Sequence, residues 1–409
     1  MAVHRLGVIG AGARGRGLAR AVVQCPDRAM VWAVAEPDET ARGVFAKEFS
    51  VTRTRCFQGH QELLDTCPEL DGVFVATPVP DHVAVACDCL KAGVPVYLEK
   101  PMALSVAEAR RIAETAELTG VRLQVGFNLR YAPLYVRLKH IVAEGLLGRL
   151  LSIEWKEALA PSHWASYCRH PTYNRRAAIG SWLMEKCCHD LDILNWIVDA
   201  PCVRVASFGS RSHFTPRPDV PEVCSEDCPI EEECLFSALG PRGERDRRRR
   251  ADQPRQACVY HSGSDLVDHQ TAILEYANGV TVALSLLPLT HFQSRYVHIC
   301  GTDATLRGLP ERNELRVHRY DEGDEVVCDP APLSGGHGGA DPGIVGAFLD
   351  WLDDVACTPK NTAAEGLEAM VVACGIDLAM REGRVVTLDD LRHSDTRGVS
   401  ASPRLTSAP

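Results

Sequence analysis

From Leu6 to Val125, short apolar runs alternate with segments of helical spacing. Leu6-Gly7-Val8-Ile9 is apolar on both faces, the pattern of a strand buried inside a parallel sheet. Comparable runs recur at Met30 to Ala35, Arg55-Cys56-Phe57, Asp71 to Thr77, Val94 to Leu98 and Leu123 to Asn128. Helical spacing is found between them over Gly17 to Val23, Glu39 to Glu48, His60 to Thr66, Asp81 to Ala92 and Ser105 to Leu118. Ser105 and Glu108 have capping-box spacing and mark the start of the last helix. This alternation predicts an α/β domain, a doubly wound parallel sheet of the Rossmann kind.

Past residue 150 the period changes to two. Leu151 to Lys156, Thr271 to Tyr276 and Val280 to Leu286 alternate apolar and polar positions, as strands do when one face is buried. A C-terminal α+β domain with an open, mainly antiparallel sheet is expected, interrupted by one helix from Gly180 to Ile197. The expected division is residues 1–125 and 126–392, with an insert at 209–262 and a disordered, Ser-, Pro- and Thr-rich tail at 393–409.

Composition narrows the class. With 409 residues, 45% hydrophobic and 24% charged, the chain suits two globular domains. A net charge of −10 argues against nucleic acid and anionic lipid as partners. No apolar stretch is long enough to span a membrane and residues 1–10 lack a signal-peptide pattern, so a cytoplasmic location is expected. The seventeen cysteines then read as thiols or metal ligands rather than disulfides.

The first strand ends in Gly10-Ala11-Gly12-Ala13-Arg14-Gly15 and passes straight into a helix. Gly10 makes the turn, Gly12 lets backbone approach a pyrophosphate, and Gly15 lets helix and strand pack closely. Glu36 ends the second strand about twenty residues on, where an acid meets the adenosine ribose. Its carboxylate would repel a 2′-phosphate, so NAD is expected over NADP, with Arg42 the one nearby cation that could reverse this. Around the cofactor we place Gly10, Gly12, Ala13, Arg14, Gly15 and Glu36, with Thr77, Pro78, His82, Glu99, Lys100 and Asn128 at or near the ends of later strands.

Lys100 follows a strand and precedes Pro101; it reads either as a surface lysine or as a cation held over nicotinamide and a substrate hydroxyl. On the Gly180 to Ile197 helix, Glu185, His189 and Asp192 fall at i, i+4 and i+7 and share one face. His189 could take a proton while an acid orients it, or could be a histidine satisfied by neighbouring acids. In the insert, Cys224, Cys228, Cys234 and Cys258 could hold a structural zinc or be unpaired thiols. Arg242, Arg245, Arg247 to Arg250 and Arg255 read as a solvated loop beside them.

Gly7 to Gly12, Glu99-Lys100-Pro101, Gly126-Phe127-Asn128-Leu129-Arg130-Tyr131 and the Glu185 to Asp192 helix, in this order, resemble the Gfo/Idh/MocA oxidoreductases, the glucose-fructose oxidoreductase and inositol dehydrogenase family. The resemblance implies an NAD-dependent enzyme acting on a CH–OH group of a sugar or cyclitol bound between the two domains. It implies Lys100 and His189 as the catalytic pair, with Glu185 where the family usually has Asp. Arg130, Tyr131, Asp192, His269 and His337 are the expected substrate contacts, and homo-oligomers through the open sheet are expected. Gly335-Gly336-His337-Gly338-Gly339 is also similar to a loop of NAD-dependent, redox-neutral glycosidases, which leaves oxidation with elimination as an alternative. A non-catalytic dinucleotide-binding regulator is a third reading.

Overall fold

A computed structural model describes residues 3–225, 227–238, 257–291, 293–321, 325–328, 339–354, 356–357 and 360–393. The first sheet consists of β1 (His4–Ile9), β2 (Ala29–Ala35), β3 (Cys56–Phe57), β4 (Gly72–Val75), β5 (Val96–Leu98) and β6 (Leu123–Val125). Its order is β3-β2-β1-β4-β5-β6, parallel throughout, with the order reversing beside β1. The carboxyl ends on either side of that reversal form the crevice where ligands of such sheets sit. The register of β1 on β4 runs from Leu6 opposite Gly72 to Ile9 opposite Val75, so the glycine turn lies beside Ala76 and Thr77. Ser105 caps the helix Val106–Thr119, its hydroxyl accepting from the Glu108 N–H, while the Glu108 carboxylate accepts from the Leu104 N–H at 2.9 Å, so only one half of the capping box forms.

The second sheet contains β7 (Leu150–Ala158), β8 (Cys202–Ser210), β9 (His269–Tyr276), β10 (Thr281–Leu287), β11 (Ser294–Gly301), β12 (Ala304–Leu309), β13 (Glu314–Arg319), β14 (Glu325–Cys328) and β15 (Val386–Thr387). Among the described residues its order is β14-β13-β12-β11-β7-β10-β9-β8-β15, and only the β7–β10 pair is parallel. Along β7, Ile153, Trp155 and Glu157 face inward while Glu154 and Lys156 face out, so one face is covered. The other is open, with Phe208 of β8 and Ile273 of β9 exposed on it.

The helix Trp182–Val198 begins where the Ser181 hydroxyl accepts from the Met184 N–H and ends where Asp199 turns into left-handed backbone. It is buried almost all round, and the Trp155 indole donates to Asp190 at 2.7 Å, which ties it to β7. The period-two pattern pointed to this helix alone in the second half. The structure also has helices at Pro161–Arg169, Ala340–Asp353 and Ala363–Glu382. The Ala340–Asp353 helix packs on the first sheet, not the second: Ile344, Val345, Phe348 and Leu349 share a core with Leu6, Val8 and Phe74. Gly72 makes room for it, since a Cβ there would lie 3.1 Å from the Phe348 ring.

Candidate active site

The glycine turn has the form a dinucleotide needs. Gly10 is held at φ +97°, and a Cβ on it would lie 2.5 Å from the Ala76 carbonyl oxygen. A Cβ on Gly15 would lie 2.0 Å from the Gly10 carbonyl oxygen. Gly12 differs: nothing lies within 4 Å of its missing Cβ, and it caps the helix Ala13–Val23 without a side-chain bond. Open space therefore faces a helix N-terminus whose first N–H groups suit a pyrophosphate. The Glu36 carboxylate accepts from the Ala11 N–H at 2.8 Å and from the Asp38 N–H at 3.0 Å, which fixes it beside the turn. The Arg42 guanidinium is on the Glu36 backbone carbonyl. At the end of β4, the Thr77 hydroxyl oxygen is buried without a hydrogen-bond partner among the described residues. These residues fit NAD.

Two of the residues expected at the cofactor serve as ties. The Arg14 guanidinium lies between Glu99 at 2.5 Å and Asp341 at 2.8 Å, and Asp341 also accepts from Asn128 at 2.9 Å. Burial opposes the Arg14 charge, but Glu99, Tyr97 and Asp341 outweigh it and raise its pKa. His82 is buried with Nδ1 3.0 Å from the Pro101 carbonyl and Nε2 3.1 Å from the Thr77 carbonyl, joining the ends of β4 and β5. Burial lowers its pKa and favours the neutral ring. Pro78 is exposed.

Lys100 crosses from the first domain to the second. Its Nζ donates to the Glu185 backbone carbonyl at 3.2 Å and to Glu185 Oε1 at 3.4 Å. Burial works against the Lys100 charge, but Glu185, Cys188 and Glu99 more than compensate and raise its pKa, so it stays an ammonium. For Glu185, burial acts upward and is outweighed by Lys100, Lys186 and a 2.8 Å bond from the Tyr167 hydroxyl, which lower its carboxyl. His189, one turn further along the helix, is buried with its ring edge-on to Phe127, centroids 6.1 Å apart. The structure thus brings Lys100 and Glu185 into contact and places His189 on the same helix face.

Tyr167 and Lys186 were not found from the sequence. The Lys186 ammonium donates to the Tyr167 hydroxyl at 2.8 Å and lies 4.1 Å from its ring centroid. The signal for Lys186 in the sequence is its place next to Glu185 on the helix from Gly180 to Ile197. Tyr167 lies on a helix that the strand pattern hid.

The expected substrate contacts have other partners. Arg130 and Asp192 form a buried bidentate pair, and Arg130 also reaches Glu365 and the Lys360 carbonyl. The Tyr131 hydroxyl donates to Asn361 at 2.8 Å. His269 Nδ1 meets Asp268 at 2.7 Å, and Asp268 also receives the N–H groups of Ser212, His213 and Phe214. His337 lies outside the described residues, as do the arginine cluster and the tail from 394.

The insert has a small apolar core of its own. Phe214, Phe236 and Tyr260 are buried, with Phe214 5.4 Å from Trp164 and 4.9 Å from Phe236 between ring centroids. Cys224, Cys228, Cys234 and Cys258 line one pocket there and are free thiols. Among the described residues no group of three or more His, Cys, Asp or Glu is arranged to hold a metal, so the zinc expectation gains no support. Aromatic packing ties the described part of the insert to Trp164.

A glycine turn at a sheet reversal, an acid at the second strand and a lysine between the two sheets are the features of a two-domain dinucleotide-binding fold. Residues 4–127 match the oxidoreductase family with an NAD-binding Rossmann fold, and residues 135–307 match the GFO/IDH/MocA C-terminal domain. The chain belongs to the GFO/IDH/MocA family.

Among relatives, it is 24% identical over 303 residues to the putative oxidoreductase YteT of Bacillus subtilis, covering 66% of this chain and 70% of that protein. It is 30% identical over 217 residues to an inositol 2-dehydrogenase of Acidothermus cellulolyticus, covering 53% of this chain and 60% of that one. A similar fold is seen in an Agrobacterium radiobacter oxidoreductase crystallised with NAD+, L-tartaric acid and magnesium, with TM-score 0.74, 16% identity, and 95% and 100% of the two chains covered. Levoglucosan dehydrogenase, in complex with NADH and levoglucosan, also has TM-score 0.74, at 18% identity and 95% and 100% coverage. No helix among the described residues is long and apolar enough to cross a membrane.

Proposed function

We propose that this chain oxidises a CH–OH group of a sugar or cyclitol with NAD. The observation that carries the reading is the Lys100–Glu185 contact, which joins the carboxyl edge of the parallel sheet to the helix of the second domain. NAD, when bound, supplies the acceptor for the two electrons. The Gly12 turn and the helix N-terminus behind it would hold its pyrophosphate, and Glu36 its adenosine ribose.

Lys100, kept as an ammonium, donates to the substrate oxygen and stabilises the charge that grows there as the O–H bond breaks. His189 takes that proton. Glu185 holds Lys100 in place and balances its charge. Arg130 and Asp192 brace the loop after β6 against the same helix. Names of relatives support this substrate class: inositol 2-dehydrogenases and levoglucosan dehydrogenase act on polyhydroxylated rings by their names.

The test is a panel of sugars, inositols and glycosides, with NADH absorbance and glycoside cleavage followed together. Net NADH formation supports the dehydrogenase. Cleavage without net NADH supports the redox-neutral glycosidase, and the presence of both Lys100 and His189 argues against a non-catalytic regulator.

A further inference from the structure

We infer that Lys186 is a positioning residue of this site: as an ammonium it directs the single hydrogen of the Tyr167 hydroxyl onto Glu185, and so sets the carboxylate that holds Lys100. The inference rests on the proposed role of Lys100.

Four side chains form one hydrogen-bonded chain. Lys186 Nζ donates to Tyr167 Oη at 2.8 Å, Tyr167 Oη donates to Glu185 Oε1 at 2.8 Å, and Lys100 Nζ approaches the same Oε1 at 3.4 Å. The direction of donation follows from the chemistry. An ammonium has three N–H groups and no lone pair, so Tyr167 can only accept from it, and the one phenolic hydrogen must point to Glu185. A neutral Lys186 has a lone pair. It can take that hydrogen, the Tyr167 hydroxyl can turn, and Glu185 then loses a donor.

The Tyr167 ring cannot easily move away. It packs edge-on to Trp182 with centroids 4.6 Å apart and stacks on His163 at 5.8 Å with 7° between planes. The hydroxyl rotor is therefore the soft coordinate in the chain. The groups facing Lys186 come from several elements: Glu185 and Cys188 on its own helix, Glu157 on β7, Lys100 after β5, and Tyr167 and His163 on the Pro161–Arg169 helix. Burial, helped by the Lys100 charge, pushes Lys186 down to about 8 against the pull of Glu185 and Glu157. The change from ammonium to amine then falls where the enzyme can be assayed. His163 is lowered to about 4 by burial and by Lys186, so it is neutral over that range, whereas burial raises Glu157 to about 8, and Glu157→Gln is included to separate its step from that of Lys186.

The test combines a pH profile with a titration that needs no turnover. Protein labelled with [ε-13C]lysine is followed by NMR from pH 6 to 11, and the Lys186 resonance is assigned by its loss in Lys186→Met. Its expected midpoint is about 8, moving in Tyr167→Phe, which removes the hydroxyl it faces. In kcat/KM for the substrate found by the panel, wild type should fall roughly tenfold above that midpoint, the worth of one hydrogen bond to a charged group. Lys186→Arg, charged throughout, should rescue what Lys186→Met loses and abolish the fall, and Tyr167→Phe should abolish it too.

A fall that persists unchanged in Lys186→Arg and Tyr167→Phe, or a Lys186 midpoint at the ordinary lysine value, overturns the inference. If no substrate is oxidised, the proposed function fails, whereas the NMR titration still decides whether Lys186 and Tyr167 are coupled.

Discussion

Arg130 and Asp192 meet as a bidentate pair, Nε to Oδ2 at 2.8 Å and Nη2 to Oδ1 at 2.6 Å, with both side chains buried. Asp192→Ala would leave a buried guanidinium without its main partner. Breaking one side of a buried pair costs about 3–5 kcal/mol. Denaturant unfolding should show a loss of that size. A loss under about 1 kcal/mol, the size of an exposed pair, would mean that the pair does not brace the helix.

The glycine turn allows fold and cofactor binding to be separated. Gly12→Ala adds a methyl to open space at φ −67°, so folding should lose no more than the N-cap preference, about 1 kcal/mol, while NAD binding weakens, because the methyl occupies the approach to the pyrophosphate. Gly15→Ala should destabilise the domain, since its Cβ would meet the Gly10 carbonyl. Thermal unfolding and NAD titration of both variants check this. Undiminished NAD affinity in Gly12→Ala would remove the turn from the cofactor site.

Glu36 is held beside the turn by the Ala11 and Asp38 N–H groups. Glu36→Ala should weaken NAD and, by removing a negative charge, relieve the repulsion of NADP. Tighter binding of NADP than NAD by the native protein would show that Glu36 does not select the cofactor.

His189→Ala should lower turnover ~100- to 10,000-fold, the usual worth of a positioned base, with NAD affinity unchanged. Lys100→Ala should also depress turnover, and the double variant should lose less than the product of the two single effects, because both groups act on one hydroxyl. Near-native turnover in His189→Ala would take it out of the mechanism.

Glu185 gives a pH dependence with a definite sign. Its folded pKa is lowered, with the upward push of burial outweighed by Lys100, Lys186 and Tyr167. Such a group adds stability at pH above its unfolded value of about 4.3, and the contribution is lost as pH falls through the folded value. Relative to wild type, Glu185→Gln should therefore show a stability deficit that is present between about pH 6 and the Lys186 midpoint of about 8 and shrinks in acid. A deficit that grows on acidification would contradict the pairing.

Local chemistry made much of this protein legible in its sequence. The glycine turn, the Ser105 cap and the change from buried to alternating strands depend on backbone geometry within a few residues, and the two-domain fold class follows from them. Position on one helix likewise put Glu185, His189 and Asp192 on a common face. What each side chain touches was decided by packing between segments distant in the chain. Arg14 finds Asp341, Arg130 finds Asp192 and Glu365, and Phe348 returns to Gly72. Lys186 illustrates the limit: its charge and helix were readable, but the Tyr167 hydroxyl it faces comes from a helix with no period-two signal. Periodicity reports which face a residue occupies, whereas hydrogen-bond partners and ionisation depend on what the folded chain brings to that face.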